Sequence, residues 1–278
     1  MLAPNNEAPR EHDLGLEYDL GTLRRRKVLS LFAGAGLVAL AGCSPDSTPS
    51  TASTPSATGS TSTTPSTSTA GVDEIPAETA GPYPGDGSNG PNVLTESGIV
   101  RSDITKSFGS ASGTATGVPL TVELTILDAD KDTPLSGAAV YIWHCDAQGR
   151  YSLYSEGATN ENYLRGVQAT DADGKVKFTT IFPAAYTGRW PHIHFEVYAS
   201  LSDATAAGKI SATSQLAFPE NVCNAVYGTD GYDGSAENMR RTSLADDNVF
   251  GDDDGVHQLA AVSGDAVNGY TAKLDVGV

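Results

Sequence analysis

Two histidines separated by one residue, His192 and His194, are the side chains of this sequence best placed to do chemistry. They open the run His192–Tyr198, whose alternation and β-forming residues predict a strand. Residues two apart on a strand point to the same face, so both imidazoles can reach one metal ion without backbone strain. A lone histidine in a strand is usually structural. Two on one face, shortly after Tyr186 and Arg189, favour a metal site.

Two tyrosines complete the candidate ligand set. Tyr186 lies shortly before the histidines, and Tyr151 follows a glycine turn beyond a predicted strand, where a side chain can be aimed into a cleft. Two phenolates and two neutral imidazoles suit a hard trivalent ion, so ferric iron fits better than zinc, whose usual ligands are Cys, His and carboxylates. Because free tyrosine has a pKa of about 10, phenolate binding at neutral pH requires a strong Lewis acid. The sequence therefore predicts Fe(III) held by Tyr151, Tyr186, His192 and His194.

Short strands separated by turns must position these residues. The predicted strands are Leu120–Leu127, Ala138–Trp143, Lys175–Ile181, His192–Tyr198, Ser214–Phe218 and Tyr270–Val276. Their spacing, with no long amphipathic helix, predicts an all-β fold, an antiparallel β-sandwich core with long loops and at most short helices. Pro219–Tyr227 is the best candidate for such a helix. The acidic run Asp252–Asp254 is interpreted as a solvated turn, because it lacks the ligand spacing of an EF-hand.

The first 42 residues read as a signal peptide. Arg25-Arg26-Lys27 resembles a twin-arginine export signal, and the apolar run Val28–Ala41 has the length of a signal-peptide hydrophobic region. Leu40–Cys43 resembles a bacterial lipobox, in which the cysteine is lipidated. The alternative is a transmembrane anchor with an unmodified Cys43. Either interpretation predicts an extracytoplasmic protein attached to the outer face of the cell membrane.

Residues 43–71 consist almost wholly of Ser, Thr, Pro, Ala and Gly, which predicts a disordered, lipid-anchored linker; residues 72–278 are then the folded domain. The net charge of −17 lies downstream of Cys43, because residues 1–42 carry five basic and five acidic side chains. An acidic surface repels phosphate backbones and anionic lipid, which argues against a nucleic-acid partner and against membrane contact beyond the anchor. Cys145 and Cys223 could form a disulfide worth about 4 kcal/mol, or remain buried free thiols.

Three stretches resemble the intradiol ring-cleavage dioxygenases, the catechol and protocatechuate 3,4-dioxygenase family. These stretches are Trp143–Tyr151, Arg165-Gly166 with Thr170-Asp171, and Pro183–Phe195. The resemblance runs from about Glu78 to the C-terminus. It implies a β-sandwich, a mononuclear non-haem Fe(III), and O2-dependent cleavage of a catechol between its two hydroxyl-bearing carbons, giving a cis,cis-muconate.

The resemblance also implies a role for each residue at the site. The two histidines resemble permanent iron ligands, Tyr151 the tyrosinate that stays bound, and Tyr186 the axial tyrosinate that leaves and takes up a substrate proton. Arg189 matches an arginine that steadies negative charge on the ring, its alternative role being a surface salt bridge. Gln215 resembles a glutamine beside the substrate. Tyr83 is expected to form part of the pocket wall.

Some features depart from the pattern or leave choices open. The N-terminal helical region that catechol 1,2-dioxygenases use for dimerisation is absent, so the oligomeric state is open and a homodimer is one option. His144 is interpreted as structural rather than as a fifth ligand.

Two other functions compete: a non-catalytic β-sandwich module that binds aromatics or glycans, and a zinc or copper site in another β fold, such as a cupin-like enzyme. The sequence does not select among catechol, protocatechuate, hydroxyquinol and lignin-derived substrates.

Overall fold

The computed structural model describes residues 72–278. The interpretations of residues 1–42 as a signal peptide and of 43–71 as a linker therefore concern residues outside the described range. Within that range the chain forms strands joined by long loops, with short helices near its C-terminal half. The strands are Pro119–Asp128 (β1), Thr133–Pro134 (β2), Ala139–Trp143 (β3), Arg165–Ala169 (β4), Lys175–Ile181 (β5), His192–Tyr198 (β6), Ile210–Ala217 (β7), Ala261–Asp265 (β8) and Gly269–Gly277 (β9). The helices are Leu201–Thr205 (α1), Glu220–Val226 (α2) and Ser235–Met239 (α3).

The strands form two sheets. One has the order β2-β1-β9-β8, with β5 also pairing β1, and the other has the order β4-β3-β6-β7. All pairs are antiparallel except β1 with β9, which run parallel from Leu120 opposite Tyr270 to Leu127 opposite Gly277. The predicted all-β sandwich with long loops and short helices is confirmed, and the parallel pair is its one departure from antiparallel pairing among the described strands. None of the described helices is both long and apolar enough to span a bilayer.

The core lies between the sheets. On β1 the buried positions alternate with half-buried ones, because one face packs inward and the other meets solvent. On β6 every residue is buried. Ile193, Phe195 and Val197 belong to the hydrophobic core, while the opposite face of β6 carries His192 and His194 beneath loops rather than solvent. The predicted metal site therefore lies on the face of β6 that is covered by loops, opposite the face that packs into the core.

Several elements were not anticipated from the sequence. Strand β4 has the sequence Arg-Gly-Val-Gln-Ala, which lacks a clear alternating pattern, and it forms because it pairs with β3 along its whole length. Strand β8 is an exposed edge strand. The predicted helix at Pro219–Tyr227 is confirmed as α2. Of the two states that the sequence left open for Cys145 and Cys223, the structure has the buried free thiols.

Candidate metal centre

Four side chains converge on one point above β6. The Oη atoms of Tyr151 and Tyr186 are 3.3 Å apart, Tyr186 Oη is 3.0 Å from Nε2 of His192, and that nitrogen is 3.1 Å from Nε2 of His194. These separations match adjacent ligands of one ion when each bond is about 2.0–2.1 Å and the angles are roughly 90–110°. The four residues selected from the sequence are therefore brought together.

The two rings present their Nε2 atoms to this cluster. Nδ1 of His192 lies 2.5 Å from the carbonyl oxygen of Trp190. Because a carbonyl only accepts, this contact assigns the proton to Nδ1 and leaves the lone pair of Nε2 facing the cluster. Nδ1 of His194 is buried without a hydrogen-bond partner among residues 72–278, so the polar contacts of that ring are on its Nε2 side.

Burial sets the protonation of the cluster. It lowers the pKa values of His192 and His194 well below the ordinary value, and the charge of Arg189 adds to this effect. Burial raises the pKa of Tyr186 to about 12 and that of Tyr151 well above its ordinary value, and Arg189 opposes both shifts. The imidazoles are thus in their neutral, ligating form, whereas the phenols keep their protons until a strong Lewis acid displaces them.

Strand pairing fixes the two histidines. Trp143 of β3 lies opposite His194, and their rings stack 4.9 Å apart with only 6° between their planes. Gly81 also approaches this imidazole; a Cβ there would lie 3.3 Å from Cε1 of His194, and the φ of Gly81 is +70°. The imidazole is thus stacked on an indole ring and adjoins a glycine that leaves space for it.

A tight turn aims Tyr151. Both the backbone N–H and Nε–H of Arg150 donate to the carboxylate of Asp146, at 3.0 and 2.9 Å, and the N–H of Gln148 donates to it at 2.9 Å. Gly149 takes a φ of +78°, which only glycine adopts at little cost. Asp146 therefore organises the turn that delivers Tyr151, a role that the sequence reasoning had not assigned.

The loop before β6 positions Tyr186. Ser235 Oγ accepts from the N–H of Ala185 at 3.2 Å, and Asn238 Nδ2 donates to the carbonyl of Ala185 at 2.9 Å. Both partners come from α3, a helix not predicted from the sequence. Tyr186 is half-buried, whereas Tyr151 is 2% exposed. Of the two phenols, Tyr186 is therefore the more accessible.

Arg189 is buried, not part of a surface salt bridge. Its Nε donates to Asp247 at 2.9 Å, and its Nη2 donates to Oε1 of Gln215 at 2.6 Å. Gln215 lies opposite His194 on β7 and donates in turn to the carbonyl of Thr79 at 2.9 Å. Asp247 belongs to an acidic, loop-rich stretch with no pattern that marks it, so the sequence analysis missed it. The resulting chain of contacts holds the guanidinium beside the four-atom cluster.

A second buried arginine, Arg165, joins the segments around the site. Its guanidinium donates to the carbonyls of Tyr83, Pro84 and Ser152 at 2.7–2.9 Å, and to the hydroxyls of Tyr141 and Ser152 at 3.0 Å. The loop carrying Tyr83 is thereby tied to the residue that follows Tyr151. The sequence resemblance included this arginine without indicating that role.

His144 faces away from the cluster. Its Nδ1 contacts the carbonyl of Cys145 at 2.8 Å, its Nε2 contacts Oγ1 of Thr180 at 2.7 Å, and burial lowers its pKa to about 4. Both nitrogens are engaged elsewhere, in keeping with a structural role. Trp190 is buried and donates to the carbonyl of Phe218, so it packs in the core.

A cavity of about 230 Å³ opens onto the cluster. Pockets for drug-sized ligands are roughly 300–1,000 Å³, so this volume suits a ligand with a single ring. Tyr83 is 37% exposed, and its ring lies 4.9 Å from that of Tyr151. Tyr83 thus forms part of the wall, as expected. The lining is Thr79, Gly81, Pro82, Tyr83, Gly149, Tyr151, Ser155, Tyr186, Thr187, Arg189, His194 and Asn248.

The donor set decides which metal fits. Residues 72–278 contain no group of three or more His, Cys, Asp or Glu side chains placed to hold a metal ion. A metal at this site therefore depends on the phenolic oxygens, which favour a hard, strongly Lewis-acidic ion such as Fe(III) over zinc. The convergence of two such oxygens with two neutral imidazoles fits that ion.

Known dioxygenases are similar to this chain. A family model described as "Dioxygenase" matches residues 89–221. The solved structure of an intradiol ring-cleavage dioxygenase from Tetranychus urticae is 26% identical and has a TM-score of 0.54; the match covers 66% of this chain and 87% of that one. Catechol 1,2-dioxygenase from Pseudomonas arvilla C-1 is a weaker likeness, at 21% identity and a TM-score of 0.42 over 63% of this chain and 55% of the other.

One curated relative also matches. Chlorocatechol 1,2-dioxygenase of Rhodococcus opacus is 35% identical over 54 residues, which is 19% of this chain and only 21% of that relative's length. Residues 89–221 thus match a dioxygenase family model, and the described domain is similar in fold to an intradiol ring-cleavage dioxygenase.

Proposed function

We propose that this protein is an Fe(III)-dependent intradiol dioxygenase that cleaves catechol-type rings with O2 to cis,cis-muconate-type products. The observation that carries the proposal is the convergence of Tyr151, Tyr186, His192 and His194, with neighbouring ligand atoms 3.0–3.3 Å apart at the floor of a single-ring cavity. These residues would hold the iron. When bound, Fe(III) would take up both catechol oxygens and activate the ring toward O2.

The two tyrosines are proposed to have different roles. Tyr186 is the more accessible phenol and lines the cavity, so its Oη is the atom proposed to accept a proton from a catechol hydroxyl. Tyr151 is more deeply buried and is proposed to remain in place.

Arg189 supplies a fixed positive charge beside the ring. Because Asp247 and Gln215 hold the guanidinium in position, it can stabilise negative charge on the substrate without reorganising. Gln215 is completely buried, so we assign it to positioning Arg189 rather than to contact with substrate.

The test measures both the visible absorption of the iron-loaded protein and its O2-dependent turnover of catechols. The full chain loaded with Fe(III) should show a purple-red tyrosinate-to-iron absorption, consume O2 with catechols, and yield ring-opened products identified by mass. Tyr151→Phe and Tyr186→Phe should each weaken or remove the visible band. Tyr154→Phe is the matched control, because its hydroxyl binds Asn89 and Gly85 away from the cluster.

The competing functions make different predictions. A non-catalytic module for aromatics or glycans would bind its ligand without O2 uptake. A zinc or copper protein would contain that metal on analysis and lack the visible band. The two described sheets are open rather than closed into a barrel, which does not favour a cupin-like fold. Loss of the band in the Tyr154→Phe control alone would also contradict the proposed ligand set.

Export and anchoring are proposed on the sequence of residues 25–43. Replacing Arg25-Arg26 by Lys-Lys should block export, and Cys43→Ala should release the protein from the membrane. Membrane fractionation measures both. An unchanged distribution of both variants would contradict this localisation.

A further inference from the structure

Positive charge is confined to one end of the cavity. Arg189 is the only permanently cationic residue of the lining, and it lies at the cluster end, where its charge influences Tyr151, Tyr186, His192 and His194. Two of its three guanidinium nitrogens are already hydrogen bonded, one to the carboxylate of Asp247. Arg165 lies nearby, but its donors point to the backbone carbonyls and hydroxyls of the surrounding segments.

Apart from Arg189, the cavity is lined by uncharged groups. They include the hydroxyls of Thr79, Ser155 and Thr187, the amide of Asn248, and the ring of Tyr83. Ser155 Oγ accepts from the N–H of Tyr151 at 2.9 Å, so its own hydroxyl hydrogen is available to a ligand. A substituent on a bound ring would thus meet neutral hydrogen-bonding groups and an aromatic wall.

The surroundings add repulsion for anions. Residues 1–42 are electrically balanced and residues 43–71 carry one charge, Asp46, so the −17 of the chain leaves −16 on residues 72–278. A field of that sign lowers the local concentration of anionic ligands. A carboxylate that enters a cavity without a cationic partner also loses hydration that neutral hydrogen-bonding groups replace only in part.

We infer that the site selects uncharged catechols and discriminates against catechols that carry a ring carboxylate. When the two hydroxyls face the four-atom cluster, a substituent on the far side of the ring points away from Arg189 and meets neutral groups of the lining. Alkyl, hydroxyl or methoxyl groups satisfy that environment, whereas a carboxylate does not. This inference rests on the proposed function, because it assumes that catechols bind with their hydroxyls toward the cluster.

The test is anaerobic calorimetry on the iron-loaded full chain, which measures binding without turnover. The probes are 4-methylcatechol and 3,4-dihydroxybenzoate, which place a methyl group or a carboxylate at the same ring position. We expect the carboxylated probe to bind about tenfold more weakly or worse, a difference of roughly 1.4 kcal/mol. The preference should persist at about 1 M salt, where the Debye length falls to about 3 Å and only the local cavity still discriminates.

A cation added to the lining should narrow the difference between the two affinities. Asn248→Lys is expected to strengthen 3,4-dihydroxybenzoate binding by about tenfold relative to 4-methylcatechol, as a charge-assisted contact would. Asn248→Gln is the matched control, since it keeps the amide and should preserve which probe binds better. Equal affinities in the wild-type chain, or a ratio unmoved by Asn248→Lys, would overturn the inference and leave the proposed function standing. Failure of both probes to bind would overturn the proposed function as well.

Discussion

Removing the charge of Asp247 should be among the most damaging small changes in the domain. The Arg189–Asp247 ion pair is buried, with the two side chains 4% and 0% exposed and 2.9 Å between Nε and Oδ2. The same carboxylate accepts from the N–H groups of Trp190, Val249 and Phe250 at 2.6, 2.8 and 3.2 Å. In Asp247→Asn, the new NH2 group faces two N–H donors whichever way the amide is turned.

The expected cost follows from the burial of this pair. Breaking a buried ion pair by removing one partner costs about 3–5 kcal/mol, because a charge is left without compensation. For a domain of this size each kcal/mol shifts Tm by roughly 2–4 °C, so Asp247→Asn should lower Tm by about 6–20 °C. The assay is thermal unfolding of the full chain followed by circular dichroism.

A neighbouring residue supplies the control. Asp246 is exposed, and its side chain contacts only the nearby Ser243, so Asp246→Asn should change stability by no more than about 0.5 kcal/mol. The double variant with Arg189→Met should be destabilised by less than the sum of its single changes, because neither then leaves a lone buried charge. Equal Tm values for Asp246→Asn and Asp247→Asn, or strict additivity in the double variant, would refute this reasoning.

Three further predictions concern the site and its surroundings. Gly81→Ala should cost about 1 kcal/mol and lower iron affinity, because φ is +70° and the new methyl would press on His194; equilibrium dialysis against iron measures the affinity, and wild-type values would contradict it. Glu78 has its pKa raised to about 7, first by burial and then by Asp252, so its folded state holds the proton more tightly. The stability that protonated Glu78 contributes to the folded state is complete below pH 4.5 and is lost as pH rises through about 7. Glu78→Gln should therefore match the wild type in stability at pH 4.5 and exceed it by about 1–2 kcal/mol at pH 8. Equal urea midpoints of the two proteins at pH 8 would contradict this. The two buried cysteines should resist thiol reagents in the native protein and both react after denaturation without reductant, whereas a disulfide would leave them unreactive.

The sequence was sufficient to predict the strands, and to select the candidate ligand residues, that depend on local patterns. The bounds of β5 and β6 came from alternation, and β6 alone placed His192 and His194 on one face. Tyr151 could be chosen because a glycine turn after a buried strand leaves a side chain free to point into a cleft. These signals lie within a few residues of one another, so one sequence is enough to reveal them.

What the sequence could not supply depends on contacts between distant segments. Asp247 meets Arg189 only because a patternless loop folds back over β6, and no spacing marks that pairing. Arg165 donates five hydrogen bonds to three separate segments, and local propensity does not predict such long-range contacts. The sequence left the state of Cys145 and Cys223 open because a pair of cysteines says nothing about whether their side chains meet.

The parallel pairing of β1 with β9 has a consequence for how the protein is made. The first long strand is completed only by the last one, so its sheet stays open at that edge until almost all of the domain has left the ribosome. Contacts so distant along the chain slow folding, and the unpaired edge is meanwhile a template for association with other chains. Biogenesis of this domain therefore favours a chaperone that shields nascent strands until synthesis ends.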